Sequence, residues 1–236
     1  MNTWQEDQLQ ALSSSECEQS LFQSIIDLAR GLDFDYCSYG IRMPLPISAP
    51  AVLIYNNYPS AWQAEYQRKN YLAVDPTVKH ALCSQEPIVW SDQIFAESTD
   101  LWDDAQAIGL RVGWAQPSRD ANNAVGLLTL ARSADELSPA EIREKRFKQL
   151  WLAQTAHIGM SKFLVPKFFP ECDAKLSSRE IDVLRWSAEG KTASEVANIL
   201  RIAERTVNFH ASNAISKLGV TNKTAAAINA VLLGIL

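Results

Sequence analysis

Long apolar runs are missing from this chain of 236 residues. Hydrophobic residues make up 47% of it, yet no uninterrupted stretch approaches the ~20 residues needed to cross a bilayer. The opening MNTWQEDQLQ also lacks the basic-then-apolar layout of a secretory leader. A protein of the cytoplasm with no membrane partner is the expectation. Cysteine is sparse: four residues at 17, 37, 83 and 172, with no zinc spacing. They read as free thiols in a reducing compartment. His80, His157 and His210 stand far apart, with no carboxylate or cysteine at ligand spacing, so no metal is expected. Nucleophile elbow, Walker loop and dinucleotide fingerprint are all lacking. Gly109 to Gly113 reads as a helix-to-strand turn rather than a phosphate cradle. No catalytic residue and no cofactor are expected, and the chain does not read as an enzyme.

Basic charge is also in short supply, with 22 Lys/Arg against 27 Asp/Glu and a net charge of −5. The deficit is uneven. From Ala174 onward there are eight basic and five acidic residues, a net of +3, which leaves −8 on the first 173. An acidic body with a mildly basic tail fits a nucleic-acid-contacting module joined to a domain that does not touch nucleic acid. So small an excess implies that tight binding needs more than one copy per site.

That basic tail is dominated by Leu176–Leu218. Ser177 or Ser178 can cap a first helix, Glu180 can close a capping box, and Gly190 marks its end. A short helix from Thr192 carries Val196, Ala197, Ile199 and Leu200 on one side. After the Arg201–Ala203 turn, a longer helix buries Val207, Ala211, Ala214, Ile215 and Leu218 and offers Arg205, Thr206, Asn208, His210, Asn213 and Lys217. Scaffold helix, tight turn and polar-faced helix describe a helix-turn-helix, whose second helix enters the DNA major groove. An ordinary helical bundle with a polar surface fits the periodicity equally well. A last, very apolar helix spans Thr221–Leu236. Its surplus apolar surface suggests pairing with a second copy, with full burial in its own domain as the alternative.

Residues 4 to 31 read as helical, with Ser14 or Ser15 capping a second segment. Strands follow over Phe34–Arg42 and Ala51–Asn56, then a helix around Ala61–Asn70. Asp75 and Pro76 open another helix to Ser84 as N-cap and first residue. Ile88–Trp90 is extended and Asp100–Ile108 helical. Gly113–Ser118 and Ala124–Arg132 are strands, and Ser138–Leu164 is a long helix. Helices flanking hairpin-connected strands predict an α+β fold: an N-terminal α/β/α sandwich on an antiparallel sheet, plus a C-terminal all-α four-helix helix-turn-helix domain. The expected boundaries are 1–165, a proline-stiffened linker at 166–175, and 176–236.

Aromatic and polar residues crowd the middle of the first domain: Tyr55, Tyr58, Trp62, Tyr66, Tyr71, Asp75, Trp90 and Trp102. Trp62 and Tyr66 are four apart and share a helix face. A packed aromatic core with Asp75 as a simple cap is one reading. The other is an apolar cavity whose Tyr, Trp and carboxylate groups find partners in a bound polar amide.

The run GKTASEVANIL…RTVNFHASNAISKL, with Glu180, Leu184 and Gly190, closely resembles the DNA-binding domain of the LuxR/FixJ regulators. The order NYPxxWxxxYxxxxYxxxDP, then Trp90, then GLRVG, resembles the autoinducer-binding domain of LuxR-type quorum-sensing receptors. The resemblance implies an N-acyl-homoserine lactone ligand. Trp62 would donate to the lactone carbonyl, Asp75 would accept from the amide N–H, and Tyr58 would donate to the amide carbonyl, with Thr129 adding a polar contact. Tyr66, Trp90 and Trp102 would form walls, and Pro76 and Gly113 would be structural. Tyr39, Leu110, Val74 and Leu127 would meet the acyl tail. Ala115 stands where many relatives carry Ser or Thr, and Trp114 beside it threatens to narrow the pocket. On DNA, Thr206, Asn208, His210, Asn213 and Lys217 would face the groove, with Arg205, Lys191 and Lys223 at phosphates. The implied function is ligand-dependent transcription regulation by a homodimer on double-stranded operator DNA. The alternatives are an orphan regulator of the same type answering to a non-lactone or exogenous signal, and a ligand-independent repressor.

Overall fold

The alternating stretches become β1 (Tyr36–Arg42), β2 (Val52–Asn56), β3 (Ile88–Val89), β4 (Val112–Arg119) and β5 (Val125–Arg132) in the computed structural model, which describes residues 15–133, 136–168 and 176–236. They form one antiparallel sheet in the order β2-β1-β5-β4-β3. Register is fixed by pairs such as Ser38 with Thr129, Arg42 with Val125, and Trp114 with Leu130. Successive side chains alternate between faces, so each register pair decides which residues see which helical layer.

One face is covered by α1 (Glu18–Arg30) and α5 (Pro139–Phe168). The spacing of Leu21, Phe22, Ile25, Ile26 and Ala29 gives α1 a single buried stripe, each large side chain contributing about 1.5–3 kcal/mol of burial. Cys37, Tyr39 and Ile41 of β1 and Leu128 and Leu130 of β5 are buried. The Tyr39 hydroxyl meets Nδ1 of the buried His157 on α5 at 2.8 Å. Where β5 passes under that ring the residue is Gly126, whose added Cβ would lie 2.3 Å from His157 Nδ1. The start of α5 is tied to the end of β5 by charge: Arg132 donates twice to Glu141, at 2.7 and 2.9 Å, and Lys145 joins the same carboxylate. Arg132 holds the Glu141 carboxyl down, at about 2.

The opposite face carries α2 (Ser60–Arg68), a 3-10 turn (Tyr71–Ala73), α3 (Pro76–Cys83) and α4 (Thr99–Ala107). Their shared core is aromatic: Trp62, Tyr71, Phe95, Leu101, Trp102, Ala105 and Leu110 pack over Ala131. Helices on both sides of an antiparallel sheet are what the sequence predicts.

The second unit holds α6 (Ser178–Ala188), α7 (Ala193–Leu200), α8 (Glu204–Lys217) and α9 (Lys223–Leu232). Both α6 and α7 start with a reciprocal capping box, Ser177 with Glu180 and Thr192 with Glu195. Gly190 sits at φ +85°, a left-handed turn that glycine enters without strain. Two small cores hold the helices: Val183, Val196, Ala197, Val207 and Ala211, then Leu184, Ala214, Ala226 and Ala230.

Three local expectations are corrected. The cap of α1 is Cys17, whose sulfur accepts from the Ser20 amide while Ser20 answers the Cys17 amide; the expected Ser14 cap and the helix before it lie outside the described residues. The long helix does not stop at Leu164 but runs through Pro166 to Phe168. Pro166 removes one backbone donor, two residues before the end. The expected linker at 166–175 therefore starts helical, and its remainder lies outside the described residues. The chain divides at Leu164/Val165, with Met43–Ala51 and Ala121–Asn123 grouped in the second unit.

Candidate functional site

A cavity of about 720 Å³ lies between the sheet and the helical layer of α2, α3 and α4, a size suited to a drug-sized ligand. Its floor is three rungs of the sheet. Ser38 stands between Asn56 and Thr129, Gly40 between Ile54 and Leu127, and Arg42 between Val52 and Val125. All nine line the space. The floor is thus polar at one end, apolar in the middle and cationic at the other.

Above the polar rung stands Asp75, and its position follows from the local sequence. As N-cap of α3 it accepts on Oδ1 from the Thr77 amide at 2.8 Å and the Thr77 hydroxyl at 2.7 Å. Its Oδ2 accepts from the Tyr66 hydroxyl at 2.9 Å. The two competing readings of this residue are therefore compatible. One oxygen caps the helix, while the other keeps acceptor capacity beside the cavity, since a carboxylate offers about four lone-pair sites. Burial, then the Asp75 charge, pushes the Tyr66 phenol well above its ordinary range; burial does the same to Tyr58. Both are neutral donors at any physiological pH.

Trp62 is buried, edge-on to Tyr66 at 5.8 Å and tilted against Tyr71 at 6.0 Å. Trp102 stacks on Phe95 at 4.5 Å and commits its indole N–H to Asp92 Oδ1 at 2.7 Å, so it serves as wall rather than donor. Trp90 stands edge-on to both, over Gly113, where an added Cβ would come within 2.2 Å of the indole. The glycine is what lets β4 pass beneath that ring.

Tyr58, Trp62, Tyr66, Asp75, Trp90, Trp102 and Thr129 all line this one cavity. Among the described lining residues Asp75 is the sole carboxylate. Of the residues assigned to the acyl tail, Leu110 and Leu127 line it. Tyr39 does not, because it points to the other face and bonds His157; Val74 does not, and is 40% exposed. Trp114 cannot narrow the pocket, since its pairing with Leu130 turns it away. The sequence reading missed Ser38. Its neighbours Cys37 and Tyr39 are buried toward α1 and α5, so strand alternation was the signal for it.

On α8 the buried stripe of Val207, Ala211 and Ala214 sets the outward face. Arg205 and Asn208 are exposed, and Thr206, His210 and Asn213 are half-buried on one flank. Lys191 is half-buried just before α7. The outermost line, at helical spacing, is Arg205, Phe209, Ser212 and Ser216. Phe209 is 61% exposed and lies edge-on to His210 at 5.6 Å, and the sequence reading named it on neither side of the helix. Lys217 also has a partner inside its own unit. Its ammonium donates to Glu180 Oε2 at 2.8 Å, and Glu180 is 3% exposed. A buried carboxylate requires such a partner, so Lys217 joins α8 to α6 before it can serve DNA. Burial alone raises a carboxyl's pKa; Lys217 and the Ser177 amide outweigh it and hold Glu180 below its ordinary range.

Residues 18–158 match the autoinducer binding domain, and residues 174–230 match the bacterial regulatory proteins of the luxR family. The chain belongs to the LuxR family of autoinducer-binding, DNA-binding transcription regulators, and not to an enzyme family. It is 46% identical to the transcriptional activator protein AnoR of Acinetobacter nosocomialis over 238 residues, covering all of both chains. It is 48% identical to the transcriptional activator protein SolR of Ralstonia solanacearum over 231 residues, 98% of each. The crystal structure of Escherichia coli SdiA superposes with a TM-score of 0.83 at 34% identity, covering 99% of this chain and 98% of that one. No helix among the described residues is long and apolar enough to cross a membrane.

Proposed function

We propose that the cavity binds an N-acyl-homoserine lactone in the cytoplasm, and that the occupied protein binds double-stranded operator DNA as a homodimer. The observation that carries the reading is the composition of the polar end. The Trp62 indole and Tyr58 hydroxyl, which bond no other described residue, are donors, and Asp75 is the acceptor. A lactone amide presents the complement: two carbonyl acceptors and one N–H. The bond from that N–H to Asp75 is charge-assisted and contributes about 1.5–3 kcal/mol, while Tyr66, Trp90 and Trp102 enclose the head group and Thr129 adds a polar contact. Ligand binding stabilises the folded first unit by mass action, and the dimer holds two α8 helices about one DNA turn apart. On DNA, Thr206, Asn208, His210, Asn213, Lys217 and Phe209 face the groove, with Arg205, Lys191 and Lys223 at phosphates.

A melting-temperature screen against lactones of varied chain length, repeated on Asp75→Asn and Trp62→Phe, tests the assignment. Shifts that shrink in both variants support it, and equal shifts in all three proteins overturn it. A second reading has its own support: SdiA has been solved in complex with octanoyl-rac-glycerol, an acyl ligand whose hydroxyls replace the amide and lactone. Side-by-side titration with the acylglycerol and the lactone of equal chain length decides between the two head groups.

A further inference from the structure

Ser38, Gly40 and Arg42 project from one face of β1, and each lines the cavity. Ser38 belongs to the polar end. Gly40 leaves the middle open: a Cβ there would meet nothing nearer than the Leu53 carbonyl at 4.0 Å. Arg42, flanked by Val52 and Val125, ends the row. Arg42 is half-buried, and no ion pair joins its guanidinium to another described residue. The one carboxylate among the described lining residues, Asp75, is bonded to Thr77 and Tyr66 and not to Arg42, so the arginine is not there to neutralise it. The arrangement that suits it is an apolar stem laid across the cavity with the charged head kept in water.

We propose that Arg42 is the chain-length determinant of this receptor, its stem closing the far end of the cavity against acyl chains longer than about eight carbons. The proposal rests on the acyl-ligand reading above. From Ser38 to Arg42 is four residues, about 14 Å of strand. Contact with the Arg42 stem takes about 4 Å of that. A carbon chain with 1.52 Å bonds near 111° advances about 1.25 Å per bond, so roughly eight bonds fill what is left. Longer chains must displace the arginine or fold back.

The test is binding of unsubstituted C4 to C14 acyl-homoserine lactones, and of acylglycerols with the same tails, to the full-length chain and to Arg42→Ala, Arg42→Leu and Arg42→Lys. In the parent, affinity rises about fourfold per methylene up to C8 and falls beyond it. In Arg42→Ala the rise continues to C10 or C12, moving the C12-to-C8 affinity ratio by more than about tenfold toward the longer chain. Arg42→Leu moves it the same way by less, and stands in if the alanine variant melts too low. Arg42→Lys, which keeps a long stem, retains the C8 optimum. Superimposable length profiles in the parent, alanine and leucine proteins overturn the proposal. If lactones bind none of these proteins while acylglycerols show the Arg42-dependent shift, the lactone head group is wrong and the chain-length role stands. If neither series binds, both readings fall.

Discussion

Replacing Asp75 with asparagine separates the residue's two jobs. The Oδ1 that accepts from the Thr77 amide and hydroxyl survives in Asn, and Asn is as good an N-cap as Asp, so α3 keeps its start. What changes is Oδ2, which accepts from Tyr66 at 2.9 Å and becomes an amide NH₂. The Tyr66 hydroxyl can rotate to accept from it, so the unliganded protein loses little, about 2 °C or less in melting temperature. The ligand N–H has no such freedom and meets a donor. Losing a charge-assisted bond of about 1.5–3 kcal/mol corresponds to a Kd raised roughly 10- to 150-fold. Alanine at the same position removes the cap as well and costs about 1 kcal/mol more in the unliganded protein. Indole fluorescence titration reads the affinity, since Trp62, Trp90 and Trp102 line the site. An Asp75→Asn protein that binds within threefold of the parent would refute the role given to this carboxylate.

Other perturbations test the rest of the account. Gly113→Ala places a Cβ inside the Trp90 ring, and overpacking of this kind destabilises by about 1–3 kcal/mol; ligand binding should fall with melting temperature, and an unshifted Tm would show that the ring moves freely. Lys217→Met leaves Glu180 buried without its cation and should destabilise the second unit by about 1–3 kcal/mol, read by circular dichroism of the helices. Because Glu180 is held below its ordinary range in the folded protein, its contribution is full above the usual glutamate pKa and is lost as pH falls through the depressed value; Lys217→Met should abolish that acid dependence. Phe209→Ala should weaken operator binding without altering its salt dependence, whereas Arg205→Ala should reduce the salt slope by about 1. Fluorescence anisotropy across salt concentrations distinguishes the two, and the opposite pattern would exchange their assignments.

Much of the site was legible in the sequence because its key residues are tied to local rules. Asp75–Pro76 announces a helix start, Trp62 and Tyr66 share a face by spacing alone, and the capping box of α6 lies within four residues. What escaped depended on partners distant in the chain. Whether Tyr39 or Ser38 sees the cavity is decided by which sheet face α1 and α5 cover, not by the alternation itself. Trp114 and Ala115 are adjacent, and only the pairing of β4 with β5 turns the tryptophan away. Lys217 reads as a surface cation until Glu180, 37 positions earlier, is found buried beside it. Phe209 is apolar yet sits on the outermost line of α8, off the buried stripe, so hydrophobic patterning gives it no role.

The central claim is that occupancy of the cavity governs DNA binding. Its most direct measurement is the affinity of the full-length protein for a duplex selected by that protein from a random pool, followed across a titration with octanoyl-homoserine lactone. Ligand at 100 times its Kd stabilises the binding-competent state by about 2.7 kcal/mol. Operator affinity should therefore rise at least tenfold, with the midpoint displaced 10- to 150-fold in Asp75→Asn. An operator affinity that stays constant over the whole titration would contradict the account.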